Sequence, residues 1–287
     1  MKKTSEKERY GLIGYPVKHS FSHMMHNAAF AHYKMDAVYE LFEVAPELLE
    51  KFFKDTVFEK NISGFNVTVP HKENAVQYLN GDKDNFVKIN SAVNTVRVEK
   101  DGRLSGANTD GLGFLRDLNE RGVKVEGKSI ALIGAGGGAK AVATAIASES
   151  PEKLFVFDVD RLKAEKLIGI LKEFYPNIKV QAMESLERLD ISGSDILINA
   201  TPVGMKESDP LLVKKEWFHD GLFVYDLIYN PRESKLLKTA RECGCLWANG
   251  LGMLLHQGAL AFEMWTGKSA PLDVMREALS EGGTCSK

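Results

Sequence analysis

A chain of 287 residues, 44% hydrophobic and 26% charged, has a globular composition with apolar mass for one large or two ordinary domains. Its formal net charge of -2 and the lack of a long basic run speak against a general nucleic-acid grip, which needs a cationic excess. Three cysteines, Cys243, Cys245 and Cys285, are too few for a disulfide framework and not at a usual zinc spacing, so free thiols in a reducing cytoplasm are expected. The opening residues carry charge with no apolar core behind them, and no apolar run approaches the roughly 20 residues of a bilayer span. Neither a signal peptide nor a membrane segment is expected.

Short apolar runs alternate with helical patterns along the chain, which reads as α/β with mostly parallel sheets. Tyr10–Gly14 is expected to be a strand and Ser22–Tyr33 a helix; Ala37–Phe42 follows as a strand and Pro46–Lys54 as a helix opened by proline. Gly64–Val69 reads as a strand ending at Pro70, with a helix from His71. Ala92–Val98 and Leu104–Ala107 flank an Asp101-Gly102 hairpin turn. A helix over Gly111–Asn119 leads into a polar, glycine-containing stretch, 119–128, expected to be a linker.

A second α/β unit then opens with the strand Ser129–Ile133. Strands are expected at Leu154–Phe157, Ile196–Asn199 and Leu222–Leu227, with a helix over Arg161–Phe174. Helices near Leu251–Trp265 and Leu272–Leu279 are expected to pack back toward the first unit. The boundaries expected are a substrate domain at 1–112, completed by 250–287, and a nucleotide domain at 113–249.

The strand Ser129–Ile133 runs straight into Gly134-Ala135-Gly136-Gly137-Gly138-Ala139, which fits the G-x-G-x-x-G/A dinucleotide fingerprint of a Rossmann-type domain. Gly134 suits a tight turn off the strand. Gly136 admits a pyrophosphate against the backbone, the small Ala139 lets the helix approach the sheet, and free N–H groups at the helix start face the phosphates. Asp158 closes the next strand at the expected spacing of ~20 residues. The alternative is a glycine-rich turn without a ligand. Asp158 and Asp160 can accept hydrogen bonds from a ribose diol and would repel a 2′-phosphate, whereas Arg161 and Lys163 lie near enough in sequence to meet one. NAD is therefore favoured and NADP remains open.

Several segments together resemble the shikimate dehydrogenase family. They are GLIGYPVKHSFSHMMHNAAF at 11–30, GFNVTVPHK at 64–72, SAVNT at 91–95, GANTDG at 106–111, GAGGGAKA, NATPVGM at 199–205, YDLIYNP at 225–231 and ANGLGMLLHQGA at 248–259. They occur in order from about 10 to 265. The resemblance implies two α/β domains and reversible NAD(P)-linked reduction of 3-dehydroshikimate to shikimate. It implies Lys72 and Asp110 as the catalytic pair, and Ser20, Ser22, Asn66, Thr68, Asn94, Tyr229 and Gln257 as substrate-binding residues. Thr201 and Gly250 join Arg161 and the residues above on the cofactor side.

Read without the family, Lys72 follows Pro70 at a strand–helix junction, and Asp110 opens a helix that it could equally cap. A protonated lysine donating to the developing alkoxide suits carbonyl reduction; a neutral lysine base would need a large downward shift from ~10.4. The amides supply both donors and acceptors for a polyol, although any one of these polar residues could be a cap or turn residue. His23 stands where the family often has proline, and Asp158-Val159-Asp160 looks more like the NAD-using quinate/shikimate branch than the Asn-Arg-Thr-like run of NADP-using members.

Other readings are a quinate dehydrogenase, a non-catalytic dinucleotide sensor and a methylene-tetrahydrofolate dehydrogenase-like enzyme. His19, His23 and His26 have spacings that can align on a helix, but no carboxylate or cysteine stands at ligand spacing, so no metal is expected. Trp217, Trp247, Trp265, Met24, Met25 and Met253 read as packing residues. The expected partner is a small molecule, with neither nucleic acid nor membrane, and the chain as monomer or homodimer.

Overall fold

A computed structural model describes residues 7–282; the opening residues 1–6 and Cys285 lie outside it. The chain divides into two compact units, Met1–Thr109 with Leu255–Lys287, and Asp110–Leu254. Both are α/β. The polar stretch at 119–128 joins a helix to a strand inside the second unit rather than dividing the units, since the division falls at Thr109/Asp110.

In the first unit, β1 (Glu8–Gly14) is followed by α1 (Ser22–His32) and β2 (Ala37–Glu43). An irregular helical run comes next: a 3-10 turn at Pro46–Leu48, α2 (Leu49–Lys51), a π-helical turn at Phe52–Thr56 and α3 (Val57–Glu59). Then come β3 (Ile62–Val67), a 3-10 turn at Asn74–Tyr78, α4 (Asn85–Asn90), β4 (Thr95–Val98) and β5 (Leu104–Ala107). The sheet order is β2-β1-β3-β4-β5, parallel across β2, β1 and β3 and antiparallel from β3 to β5. Half of this sheet is parallel; β4 runs against β3, and the expected Asp101-Gly102 hairpin reverses the chain again into β5.

The helix expected from His71 is a correction. After Pro70 the chain turns, with His71 N bonding back to Thr68 O (2.9 Å), and only a 3-10 turn forms at Asn74–Tyr78. The buried His71 ring, held at 2.6 Å from Val44 O, and the bond from Val93 N to Lys72 O (2.9 Å) tie this segment to neighbouring strands, so its backbone is not available for an α-helical ladder.

Alternation along the strands gives the sheet two apolar faces. On one, Ile13, Phe65 and Val67 pack with Phe52, Phe53 and Val57 from the irregular run, Phe65 meeting Phe52 and Phe53 edge-on. On the other, Tyr10 packs against Phe30 and Trp265, and Phe30 against Phe262. Trp265 donates its indole N–H to Val96 O (2.9 Å). Here the last part of the chain joins the first unit, and α10 packs on α1.

The second unit runs α5 (Asp110–Glu120), β6 (Ser129–Ile133), α6 (Gly137–Ser148), β7 (Lys153–Phe157), α7 (Arg161–Phe174), β8 (Lys179–Ala182), β9 (Ile196–Asn199), β10 (Phe223–Asp226), α8 (Lys235–Glu242) and β11 (Leu246–Asn249). The helix α9 (Leu251–Thr266) begins in this unit and continues into the other, and α10 (Leu272–Gly282) completes the first unit. All six strands pair in parallel in the order β11-β10-β9-β6-β7-β8, the doubly wound order with its switch point between β6 and β9.

Strand β6 is buried at every position and apolar from Ile130 to Ile133 because helices cover both faces. Helix α6 is built largely of alanine, the best helix former, and its small side chains permit a close crossing. A Cβ at Gly111 of α5 would collide with Ala141 O, so glycine there sets how near α5 and α6 approach. Cys243 and the buried Cys245 are free. Among the described residues, no helix is long and apolar enough to cross a membrane.

Candidate active site

The first unit gathers polar groups at one end of its sheet. Chain reversal brings the ends of β1, β3 and β5 beside the start of β4. Ser20 and Ser22 lie where the chain passes from β1 into α1. The Ser20 hydroxyl donates to Ser22 Oγ (3.1 Å) and accepts from Ser22 N (3.2 Å). His23 lies within 2.9 Å of Ser20 O through Nδ1. In this chain the residue in place of the family's proline thus closes the serine turn with a side-chain bond.

Asn66, Asn94 and Gln257 form one buried network with three residues that the sequence reading did not assign, Tyr39, Thr95 and Thr109. Tyr39 donates its hydroxyl to Asn66 Oδ1 (2.7 Å), and Asn66 Nδ2 donates to Asn94 O (3.1 Å) and Thr95 Oγ1 (3.0 Å). Asn94 Oδ1 accepts from Thr109 N (2.8 Å) and Thr95 Oγ1 (3.1 Å). Asn94 Nδ2 donates to Thr109 Oγ1 (3.0 Å) and reaches Gln257 Oε1 at 3.5 Å; Thr109 Oγ1 donates to Gln257 O (3.1 Å). Both amide hydrogens of Asn66 are therefore committed inside the protein, and its oxygen, which already accepts from Tyr39, has one lone pair beyond that bond. Thr68 and Lys72 are half-buried on the adjoining loop after β3. Thr95 and Thr109 lie within SAVNT and GANTDG, so their place in those motifs was a signal available in the sequence.

Behind this network, His26 is fully buried and stacks on Tyr39 with ring centroids 4.4 Å apart. Neither ring nitrogen has a hydrogen-bond partner. Burial pulls its pKa down to about 3, so the ring is neutral. His23 is engaged at Ser20 and His19 is exposed before the helix, so each of the three histidines has its own surroundings.

Asp110 and Tyr229 belong to the second unit. Asp110 is the first residue of α5 and is buried. Tyr229 is half-buried, and burial raises its phenol above the usual range.

The glycine loop follows β6. Gly134 has φ of +107°, where a side chain is strained, and a Cβ there would stand 3.0 Å from Ala200 O. Gly136 precedes α6, which starts at Gly137. A Cβ at Gly136 or Gly137 would meet nothing within 4 Å, so the protein's own packing does not require glycine there. Gly138 stands nearer Leu227, and Ala139 is fully buried under the helix.

Asp158 braces this loop: its Oδ2 accepts from Ala135 N (2.7 Å) and its Oδ1 from Asp160 N (2.8 Å). Asp160 is exposed, 3.6 Å from Lys163, and Arg161 pairs with Glu165 (2.7 Å). Thr201 follows the end of β9, with its N–H and hydroxyl both bound to Asn199 Oδ1. Gly250 follows β11, where a Cβ would strike Leu227 O.

Comparison with known proteins gives concordant matches. The family model for the shikimate dehydrogenase substrate binding domain matches residues 12–96, and that for the shikimate 5′-dehydrogenase C-terminal domain matches 250–279. The shikimate dehydrogenase (NADP(+)) of Methanopyrus kandleri is 43% identical over 278 residues, 94% of each chain. A crystal structure of shikimate 5-dehydrogenase from Listeria monocytogenes in complex with shikimate and NAD is 38% identical, with a TM-score of 0.89 over 97% of this chain and 98% of that one. Quinate dehydrogenase from Corynebacterium glutamicum in complex with NAD is 29% identical, with a TM-score of 0.88 over 96% of this chain and 99% of that one. Identity above 40% along nearly the full length of both chains, on this fold, makes the chain a member of the shikimate dehydrogenase family, NAD(P)-dependent oxidoreductases acting on a CH–OH group.

Proposed function

We propose that this chain catalyses reversible hydride transfer between a nicotinamide dinucleotide and 3-dehydroshikimate/shikimate. The observation that carries the reading is the pairing of two kinds of site in one chain. One unit holds a converging amide and hydroxyl network suited to a polyhydroxylated acid. The other holds a glycine loop whose open positions need no side chain excluded on internal grounds.

Lys72 and Asp110 are the proposed catalytic pair. In carbonyl reduction the ammonium of Lys72 donates a proton to the oxygen as hydride arrives at carbon, and in the reverse direction it takes the proton back. Asp110 is the proposed second polar group on the reacting oxygen. The dinucleotide supplies or accepts the hydride. Ser20 and Ser22 offer hydroxyls to the substrate carboxylate. Asn66 through its oxygen, with Thr68, Asn94, Gln257 and Tyr229, addresses ring hydroxyls. On the cofactor side the loop Gly134–Ala139 receives the pyrophosphate, with Thr201 and Gly250 at the neighbouring strand ends.

For this chain NAD is proposed over NADP, although relatives such as that of Methanopyrus kandleri are named for NADP(+). Asp158 and Asp160 place two carboxylates after β7, and the cations beside them, Arg161 and Lys163, already have acidic partners. A 2′-phosphate would face net repulsion there. The carbon skeleton is the second open choice. The quinate dehydrogenase fold matches closely, and quinate differs by a saturated ring and one more hydroxyl. A two-by-two assay of shikimate or quinate with NAD or NADP tests both. The expected outcome is highest kcat/KM for shikimate with NAD. A tenfold preference for NADP defeats the cofactor choice, and a preference for quinate defeats the substrate choice.

A further inference from the structure

The loop after β9 is held by a buried chain of polar groups that the reaction does not itself require. Asp226, at the end of β10, is fully buried. Its Oδ1 accepts from Asn199 Nδ2 (3.0 Å) and Ile228 N (3.1 Å), and its Oδ2 accepts from the Ser234 hydroxyl (2.5 Å). Asn199, at the end of β9, also donates Nδ2 to Val203 O (3.2 Å). Its Oδ1 accepts from both Thr201 N (3.0 Å) and Thr201 Oγ1 (2.7 Å), and Thr201 Oγ1 accepts from Val203 N (3.2 Å).

A carboxylate accepts and cannot donate. It therefore fixes which end of the Asn199 amide faces it, and the other end must present oxygen to Thr201. A reversed amide would set its NH2 against the Thr201 N–H. The loop so defined lies on the β9 side of the switch point, opposite the β7 side where Asp158 stands. A dinucleotide laid across a doubly wound sheet with its adenosine near Asp158 puts its nicotinamide half here.

We propose that Asp226 and Asn199 are positioning residues for the nicotinamide half of the dinucleotide: Asp226 orients the Asn199 amide, and Asn199 shapes the Thr201–Val203 turn. This rests on the reading of the glycine loop as a dinucleotide site. Burial pushes the Asp226 carboxyl up to about 6, against the pull of its Ser234, Ile228 and Asn199 hydrogen bonds. At pH 8 it is the charged acceptor that the Asn199 amide needs.

The test is Asn199→Asp, which keeps the shape and the oxygen toward Thr201 but faces one carboxylate with another. Binding is read at pH 8 by fluorescence titration with NADH and NADPH, with ADP as a probe that lacks the nicotinamide half, alongside the shikimate KM and the melting temperature. The expected result is reduced-dinucleotide affinity weakened about tenfold, the size of one misplaced buried hydrogen bond, with ADP binding and shikimate KM unchanged within about twofold. The double variant Asn199→Asp/Asp226→Asn restores one amide facing one carboxylate. It leaves the Ile228 N–H without its acceptor and Val203 O without its donor, and is expected to recover about threefold of the loss.

A general loss of folding would weaken ADP equally and give no recovery in the double variant. Either outcome overturns the proposal, as does a folded Asn199→Asp chain that binds NADH like wild type. A wild-type chain binding neither NADH nor NADPH would instead overturn the dinucleotide reading beneath it.

Discussion

The two units present different kinds of polar groups. The first gathers side chains: amides and hydroxyls that bond one another across β-strands. The second uses backbone: a loop with a positive-φ glycine and positions where a Cβ would meet nothing, braced from beneath by Asp158. A polyol demands donors and acceptors at fixed points, which side chains provide. A pyrophosphate demands many weak donors in a small space, which backbone N–H groups provide without desolvating a charge. Substitutions that delete a side-chain atom should therefore harm the first unit, and those that add one should harm the second.

The largest expected effect tests the chemistry common to both. Lys72→Ala and Asp110→Asn should each lower kcat by about 10²- to 10⁴-fold, with substrate and dinucleotide affinities changed far less. Steady-state rates with independent binding measurements decide this, and near wild-type kcat in both variants would refute the catalytic assignment. Next in size, Gly134→Ala adds one methyl at φ of +107° and 3.0 Å from Ala200 O. The strain, about 1–3 kcal/mol, should appear as weaker dinucleotide binding with shikimate KM unchanged. Equal loss in both substrates would erase the contrast between the units.

The smallest effect concerns stability and belongs to the first unit alone. His26 has its pKa held down to about 3 by burial, against ~6.5 in an unfolded chain. As pH falls the unfolded chain takes up the proton first. The penalty is absent above about pH 7 and grows as pH drops toward 3, reaching about 1 kcal/mol between pH 7 and 5.5. Urea unfolding at those two pH values should show this loss in wild type and its absence in His26→Phe, whose ring can replace the stack on Tyr39. An identical pH dependence in both proteins would show that the ring is not held neutral.

The same contrast explains what was legible in the sequence. The glycine loop announces itself because backbone sites depend on consecutive residues, and the apolar run Ile130–Ile133 before it shows how such a strand is buried. The amide network joins residues as far apart as Asn94 and Gln257, and Tyr39 enters it through a single hydroxyl on a neighbouring strand. Spacing alone does not reveal such partners, although Thr95, Thr109, Asn199 and Asp226 all sat inside motifs already recognised.

Among the elements, α4 and α8 escaped notice even though Asp84 and Ser234 cap them through Val87 N and Leu237 N; with six and eight residues they hold too few turns for a period to stand out. Strands β8 and β11 have four residues each and carry charged or exposed positions at the sheet's edges. The helix expected after Pro70 yielded to tertiary bonds at His71 and Lys72, a case of long-range order overriding local preference.

The first unit is assembled from both ends of the chain, whereas the second is one continuous stretch. On the ribosome, the strands β1 to β5 emerge early but must wait for the final thirty or so residues before Phe262 and Trp265 can cover Tyr10 and Phe30. The second unit can complete its sheet in the meantime. A nascent chain stalled before Leu255 would thus carry a finished second unit and a first sheet whose one apolar face is only partly covered, by α1, a form that chaperones and proteases are equipped to notice.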